Sequence, residues 1–119
     1  MNATLNSFKL FETDINELQR CIGDDLYNAE ISTPNVVEAL EVVNAIHKFR
    51  NGEITKETLI AWVNTLWFTD LYEYCEDNEE SIASVMSLLE TLDEVGVDFT
   101  EDEYNRMIEA LKNNEQYAD

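Results

Sequence analysis

The chain has 119 residues, of which 45% are apolar, and it contains only three glycines and one proline. This length allows one domain with one core, and the apolar content excludes a disordered chain. The formal net charge of −19 disfavours direct binding to nucleic acid, because the phosphate backbone would repel this surface.

The sequence carries no signal for a membrane or for export. No run of about 18 apolar residues exists, so we predict no membrane span. The N-terminus reads MNAT and lacks a basic region followed by an apolar core, so we predict no signal peptide. These features together predict a cytoplasmic protein.

The first third predicts a docking segment and one helix. Residues 1–12 form either a short helix or an irregular segment that docks on the core. Thr13 or Asp14 then caps a helix over about residues 14–28, which Gly23 and the two following aspartates fray or kink. Residues 29–32 are a connection. The apolar residues behind these predictions are Leu5, Phe8, Leu10, Phe11, Ile15, Leu18, Ile22 and Leu26.

The stretch from Thr33 to Phe68 predicts two helices around which the rest is organised. Thr33-Pro34 is typical of a helix start, and Asn51-Gly52 of a helix end. The helix between them is apolar on most of its circumference, which predicts a central, buried helix. Two stripes, at Val36, Leu40 and Val43 and at Ala39, Val42, Ile46 and Phe49, leave a solvated edge at Glu38, Glu41, Ala45 and Lys48.

The second helix of this pair begins after Thr55 and carries both tryptophans. Leu59, Trp62 and Leu66 recur at helical spacing, so the tryptophans are interpreted as core anchors. The alternative is that Trp67-Phe68 reaches the surface as a binding anchor, since aromatic residues concentrate at interface centres.

The second half predicts an acidic segment followed by two more helices. Residues 69–80 interleave aromatic and acidic residues in either a short helix or a loop. Asp77 or Asn78 caps an amphipathic helix, and Thr100 with Glu103 forms a capping box for the last one. Residues 113–119 are expected to fray. We therefore predict an all-α, single-domain fold (residues 1–119) of five or six packed helices, without strands.

The negative charge is concentrated in the second half of the chain. Residues 70–119 hold 16 acidic and two basic residues, whereas residues 1–69 hold ten and five. Because an acidic field attracts a basic partner and speeds its association, we predict that the acidic segment binds a basic protein. The predicted partner-binding residues are Asp70, Tyr72, Glu73, Tyr74, Glu76, Asp77, Glu79 and Glu80.

The sequence offers no constellation for catalysis or metal binding. His47 is the only histidine and has no partner at a useful spacing. Cys21 and Cys75 are far apart and are interpreted as two small thiols that are in the core or half-buried. Both EF-hand frames fail, since a loop centred on Gly52 or on Gly96 lacks the required oxygen ligands. We predict no cofactor, no metal site and no enzymatic activity.

One part of the chain resembles a known class of proteins. Residues 48–62, KFRNGEITKETLIAW, followed by Trp67-Phe68 and the acidic stretch, resemble small acidic helical immunity proteins of bacterial polymorphic-toxin and contact-dependent growth inhibition systems. The resemblance covers about residues 45–112. It implies a cytoplasmic protein that neutralises one cognate toxin, often a basic nuclease, and it transfers no functional residue.

Three other functions remain open from the sequence. A nucleic-acid mimic from a phage or mobile element would block a DNA-binding or restriction protein through carboxylates spaced like phosphates. A helical adaptor or regulatory subunit would bind through Trp67-Phe68. A metal-dependent hydrolase is the only enzymatic form that the clustered acids would allow.

Overall fold

The computed structural model describes residues 2–23 and 34–117, and six α-helices with two three-residue strands form the described part. The predicted all-α fold of five or six helices is confirmed. The elements are α1 (Asn2–Lys9), α2 (Ile15–Ile22), β1 (Asn35–Val37), α3 (Ala39–Arg50), α4 (Lys56–Phe68), β2 (Tyr72–Tyr74), α5 (Glu79–Glu90) and α6 (Glu101–Lys112).

Helix starts follow the capping chemistry of the sequence. The side chains of Asp14, Thr55 and Thr100 each accept a hydrogen bond from the backbone N–H three residues later, at 2.9 to 3.1 Å. Glu103 completes the predicted capping box by accepting from the backbone N–H of Thr100 at 2.9 Å. These bonds satisfy donors that a helix N-terminus leaves open, so three of the predicted starts are confirmed.

The predicted central helix begins later than the sequence suggested. Residues 35–37 form β1, and α3 starts at Ala39 behind a capping box between Glu38 and Glu41. The prediction of a helix from Thr33-Pro34 is therefore wrong over 34–38, and Thr33 lies outside the described residues. The predicted continuation of α2 to residue 28 and the connection at 29–32 also lie outside them.

The two strands form a small parallel sheet, which corrects the expectation that the chain has no strands. Val36 pairs with Glu73, and Cys75 donates its backbone N–H to the carbonyl of Val37 at 2.8 Å. Parallel strands need a long crossover, and α3 and α4 provide it. A partner strand so distant in sequence cannot be recognised from the local pattern around Val36.

The strand also changes which residues of α3 are buried. Leu40 is 66% exposed and Val36 is 41% exposed, although both were assigned to a buried stripe. Ala45 is fully buried, although it was assigned to the solvated edge. Val36 is misplaced because β1 interrupts the helix that was predicted to start at Pro34. Leu40 and Ala45 lie within α3, whose buried face runs through Val42, Ala45 and Ile46 and leaves Leu40 outside.

One core cluster takes residues from all six helices and from both strands. Helix α3 packs mainly against α6, and α4 packs mainly against α5. The predicted core position of Trp62 is confirmed, since its side chain is 1% exposed. No helix of the described part is both long and apolar enough to cross a lipid bilayer.

Helix α1 is the docking segment, and polar contacts fix it as well as apolar ones. Leu5 and Phe8 enter the core, while the hydroxyl of Tyr72 donates to the carbonyl of Leu5 at 2.7 Å. The indole N–H of Trp62 donates to the carbonyl of Lys9 at 3.1 Å. Because these donors lie on α4 and β2, α1 joins the N-terminus to the middle of the chain.

The C-terminal tail beyond α6 contacts the rest of the protein as far as residue 117. After α6 ends, the backbone N–H of Tyr117 donates to Ser84 Oγ at 2.9 Å. The guanidinium of Arg106 lies 5.6 Å from the centre of the Tyr117 ring. Residues 113–117 therefore return to α5 and α6.

Candidate functional site

The acidic segment, residues 70–80, is fixed at both ends of β2. It leaves α4 through Thr69, whose hydroxyl donates to the carbonyl of Thr65 and accepts from the backbone N–H of Leu71. Leu71 in turn accepts from the backbone N–H of Asn35 at 2.9 Å, which begins the pairing with β1. A short 3-10 turn over Glu76–Asn78 then leads into α5.

All six carboxylates predicted to bind a partner are exposed: Asp70, Glu73, Glu76, Asp77, Glu79 and Glu80. None belongs to the ion pairs found in residues 2–23 and 34–117, which use other carboxylates. No lysine or arginine occurs in residues 70–80. These charges therefore repel one another without compensation from the segment itself, a cost that a cationic partner would remove.

Two of these carboxylates also have a local role. Glu79 and Glu80 lie in the first turn of α5, where a negative charge interacts favourably with the helix dipole. Glu80 also accepts a hydrogen bond from the side-chain amide of Gln116 at 3.3 Å. The helix dipole does not account for Asp70 and Glu73, which precede α5 by several residues.

The two tyrosines of the segment have different roles. Tyr72 is only 6% exposed and its hydroxyl is bonded to Leu5, so the prediction that it anchors a partner is wrong. Burial, together with the charge of Glu41, raises the pKa of Tyr72 above its ordinary value. Side chains alternate along a strand, so Tyr72 and Tyr74 face away from Glu73.

Tyr74 is half-buried and belongs to a small aromatic cluster. Its ring stacks on Trp67 with ring centres 6.1 Å apart, and Phe68 meets Trp67 edge-on at 6.5 Å. Phe68 is 51% exposed, whereas Trp67 is half-buried. The alternative that Trp67-Phe68 reaches the surface is thus confirmed for Phe68 and is partly true for Trp67.

A surface cavity of about 290 Å³ lies where this aromatic cluster meets the acidic segment. Trp67 and Tyr74 line it together with the carboxylate-bearing residues Glu73 and Glu79. These residues belong to three elements, α4, β2 and α5, and the pairing of β2 with β1 together with the turn into α5 brings them together. We call this site, defined by Trp67, Glu73, Tyr74 and Glu79, the aromatic–acidic cavity.

A second, larger cavity of about 370 Å³ lies between the α1–α2 turn and α4. Phe11, which stacks on Trp62 at 5.3 Å between ring centres, forms part of its wall. Its lining is mainly apolar, and its only carboxylates are Glu12 and Asp14. This cavity therefore offers a more apolar surface than the first one, although two carboxylates line each of them.

The remaining candidate groups for chemistry are separate from one another. His47 is exposed on α3. Cys21 and Cys75 are both free thiols; Cys75 is half-buried as predicted, whereas Cys21 is exposed, so the prediction of a core or half-buried thiol is wrong for Cys21. Within the described residues, no three histidine, cysteine, aspartate or glutamate side chains lie close enough to hold a metal ion.

Comparisons with protein-family models, with curated proteins and with solved structures find no match to this chain.

Proposed function

We propose that this chain is a non-catalytic acidic binding protein that neutralises a cognate basic toxin in the bacterial cytoplasm. The observation that carries the proposal is the group of six exposed carboxylates in residues 70–80, none of which forms an ion pair with any residue of 2–23 or 34–117. Association with a cationic surface would relieve their mutual repulsion and would be accelerated by the long-range field.

A nuclease is the class of toxin that fits best. Enzymes that act on nucleic acid bind its phosphates with lysine and arginine, so their substrate clefts are basic. A helical protein that presents carboxylates and a few aromatic side chains fits such a cleft and excludes the substrate. The resemblance to immunity proteins supports the same assignment.

The test is co-expression with the protein encoded immediately upstream, in a bacterial host. We expect that protein to be toxic alone and harmless beside the wild-type chain. The proposal fails if the neighbour is not toxic, or if its toxicity is unchanged by this chain.

Two matched variants test whether protection against the toxin depends on the carboxylates of residues 70–80. The site variant converts the six carboxylates of residues 70–80 to amides. The control variant converts six other exposed carboxylates whose side chains make no hydrogen bond or ion pair in the described part: Glu12, Glu57, Asp93, Glu94, Glu109 and Glu115. Each variant removes six negative charges from the total of −19. We expect the site variant to lose protection and the control variant to retain most of it.

The exposed side chain of Phe68 favours a second candidate, an adaptor that binds mainly through apolar contacts. Such binding would be insensitive to salt and equally strong in both six-amide variants, because screening weakens only charge-driven association.

A further inference from the structure

We propose that the aromatic–acidic cavity binds one arginine side chain of the partner. The inference rests on the proposed function, since it names the group of a basic protein that this site would recognise. It is argued from the lining of the cavity, from its size, and from two arginine sites that the chain builds within itself.

The lining combines the two features that recognise a guanidinium. Trp67 and Tyr74 offer aromatic rings whose faces attract cations, and Glu79 supplies a carboxylate at the same cavity. Glu73, whose side chain leaves the opposite face of β2 from Tyr74, adds negative charge beside it. The lining residues include no lysine or arginine, so the chain does not neutralise these carboxylates at the cavity. A planar guanidinium stacks on rings and pairs with carboxylates, whereas an ammonium group does so less well.

The chain uses the same combination twice for its own arginines. Arg50 lies 5.8 Å from the centre of the Tyr104 ring and pairs with Glu101 at 3.0 Å. Arg106 lies 5.6 Å from the centre of the Tyr117 ring and pairs with Asp102 at 3.3 Å. The aromatic–acidic cavity presents the ring and carboxylate parts of this arrangement on an open surface.

The size of the cavity favours a side chain over a small-molecule ligand. Its volume of about 290 Å³ is at the lower limit of ligand pockets, which span roughly 300–1,000 Å³. It nevertheless exceeds by far the ~30 Å³ that one water molecule occupies in the liquid. A single long side chain inserted by a docked protein is smaller than a typical ligand and larger than a water molecule, so it fits this volume. Aromatic residues are common at such anchor points.

The experiment is an NMR titration with a capped glycine-rich peptide that contains one central arginine. We expect the indole N–H signal of Trp67 to shift and saturate, while that of Trp62, which is buried and bonded to Lys9, stays in place. A peptide with citrulline, which is uncharged and nearly the same shape, should produce no shift. A lysine peptide should bind more weakly than the arginine peptide.

Matched variants separate the cavity from the general acidic field. Glu73→Gln with Glu79→Gln should weaken arginine-peptide binding by about three- to fivefold, the effect of losing one exposed charge pair at the cavity and one further charge beside it. Glu76→Gln with Asp77→Asn makes the same charge change outside the cavity lining and should weaken it less than about twofold.

Three results would overturn the inference: no shift at Trp67, equal binding of the citrulline or lysine peptide, or equal weakening by the two variant pairs. Its failure is distinguishable from failure of the proposed function. Protection against the toxin that depends on the six carboxylates would stand without an arginine site. Conversely, peptide binding at Trp67 would stand if the upstream protein proved harmless.

Discussion

Replacement of Lys9 by methionine should destabilise the protein strongly, because this lysine is the buried cation that joins α1 to β1 and α3. Its Nζ lies 3.0 Å from Glu41 Oε2, and the two side chains are only 10% and 15% exposed. The same ammonium group donates to the carbonyl of Val36 at 2.6 Å. Methionine fills a similar volume and removes both interactions.

The expected cost follows from what is left behind. Removal of one member of a buried ion pair costs about 3–5 kcal/mol, because the other charge stays buried without its partner. Glu41 keeps a hydrogen bond from the backbone N–H of Glu38 at 2.8 Å and some exposure. We therefore expect a loss of about 3 kcal/mol, which is a large part of the ~5–15 kcal/mol that stabilises a typical domain.

Equilibrium unfolding in urea, followed by tryptophan fluorescence, measures this loss. Trp62 is a suitable reporter because its indole is bonded to the carbonyl of Lys9.

Lys112→Met is the matched control; it removes an exposed lysine and should change the free energy of unfolding by less than about 0.5 kcal/mol. Addition of Glu41→Gln to the Lys9→Met variant should restore at least about 1 kcal/mol, since the uncompensated charge disappears. A loss below about 1 kcal/mol in Lys9→Met, or no recovery in the double variant, would refute the reasoning.

Three further predictions concern single residues. Tyr72→Phe should lower the free energy of unfolding by about 1–3 kcal/mol, because the carbonyl of Leu5 loses its hydrogen-bond donor. The dissociation constant of the complex with the partner should stay unchanged, and a weakened complex would return Tyr72 to the interface. Because burial raises the pKa of Tyr72, this tyrosine ionises at a lower pH in the unfolded chain than in the folded one. The free energy of unfolding should therefore hold below about pH 10 and then fall by up to ~1.4 kcal/mol per pH unit for this tyrosine. In urea unfolding at each pH, the free energy of unfolding of Tyr72→Phe should fall less steeply. Gly52→Ala should lower the free energy of unfolding by about 1 kcal/mol in the same assay, because Gly52 has a φ of 76°, which an L side chain disfavours. The cost is limited to this backbone strain, since a Cβ there would contact nothing within 4 Å. A neutral effect would show that the turn relaxes.

Those parts of the fold that depend on neighbouring residues could be predicted from the sequence. The starts at Asp14, Thr55 and Thr100 follow from side chains that cap the nearest backbone donors. The burial of Trp62 follows from helical spacing around it. In each case the sequence pattern that supports the prediction lies within a few residues of the position it predicts.

The sheet could not be predicted, because its two strands are short and far apart in sequence. Val36 fits a helical stripe as long as the chain is helical there, and only its pairing with Glu73 shows that it lies in a strand. The same pairing buries Tyr72 and brings Tyr74 to Trp67, so the sequence identified an acidic segment but not its cavity. The carboxylates themselves were predictable, since charged side chains without partners remain exposed.

The central claim is that the six carboxylates of residues 70–80 form the docking surface for a cationic protein. The most direct measurement is the association rate of the wild-type chain, the site variant and the control variant with the toxin identified by co-expression, over a range of salt concentrations. We expect the site variant to associate more slowly than the control variant at low salt and to lose most of its salt dependence, because steering depends on where the charges lie. Equal rates and equal salt dependence in the two six-amide variants would contradict the claim, since only the total charge would then matter.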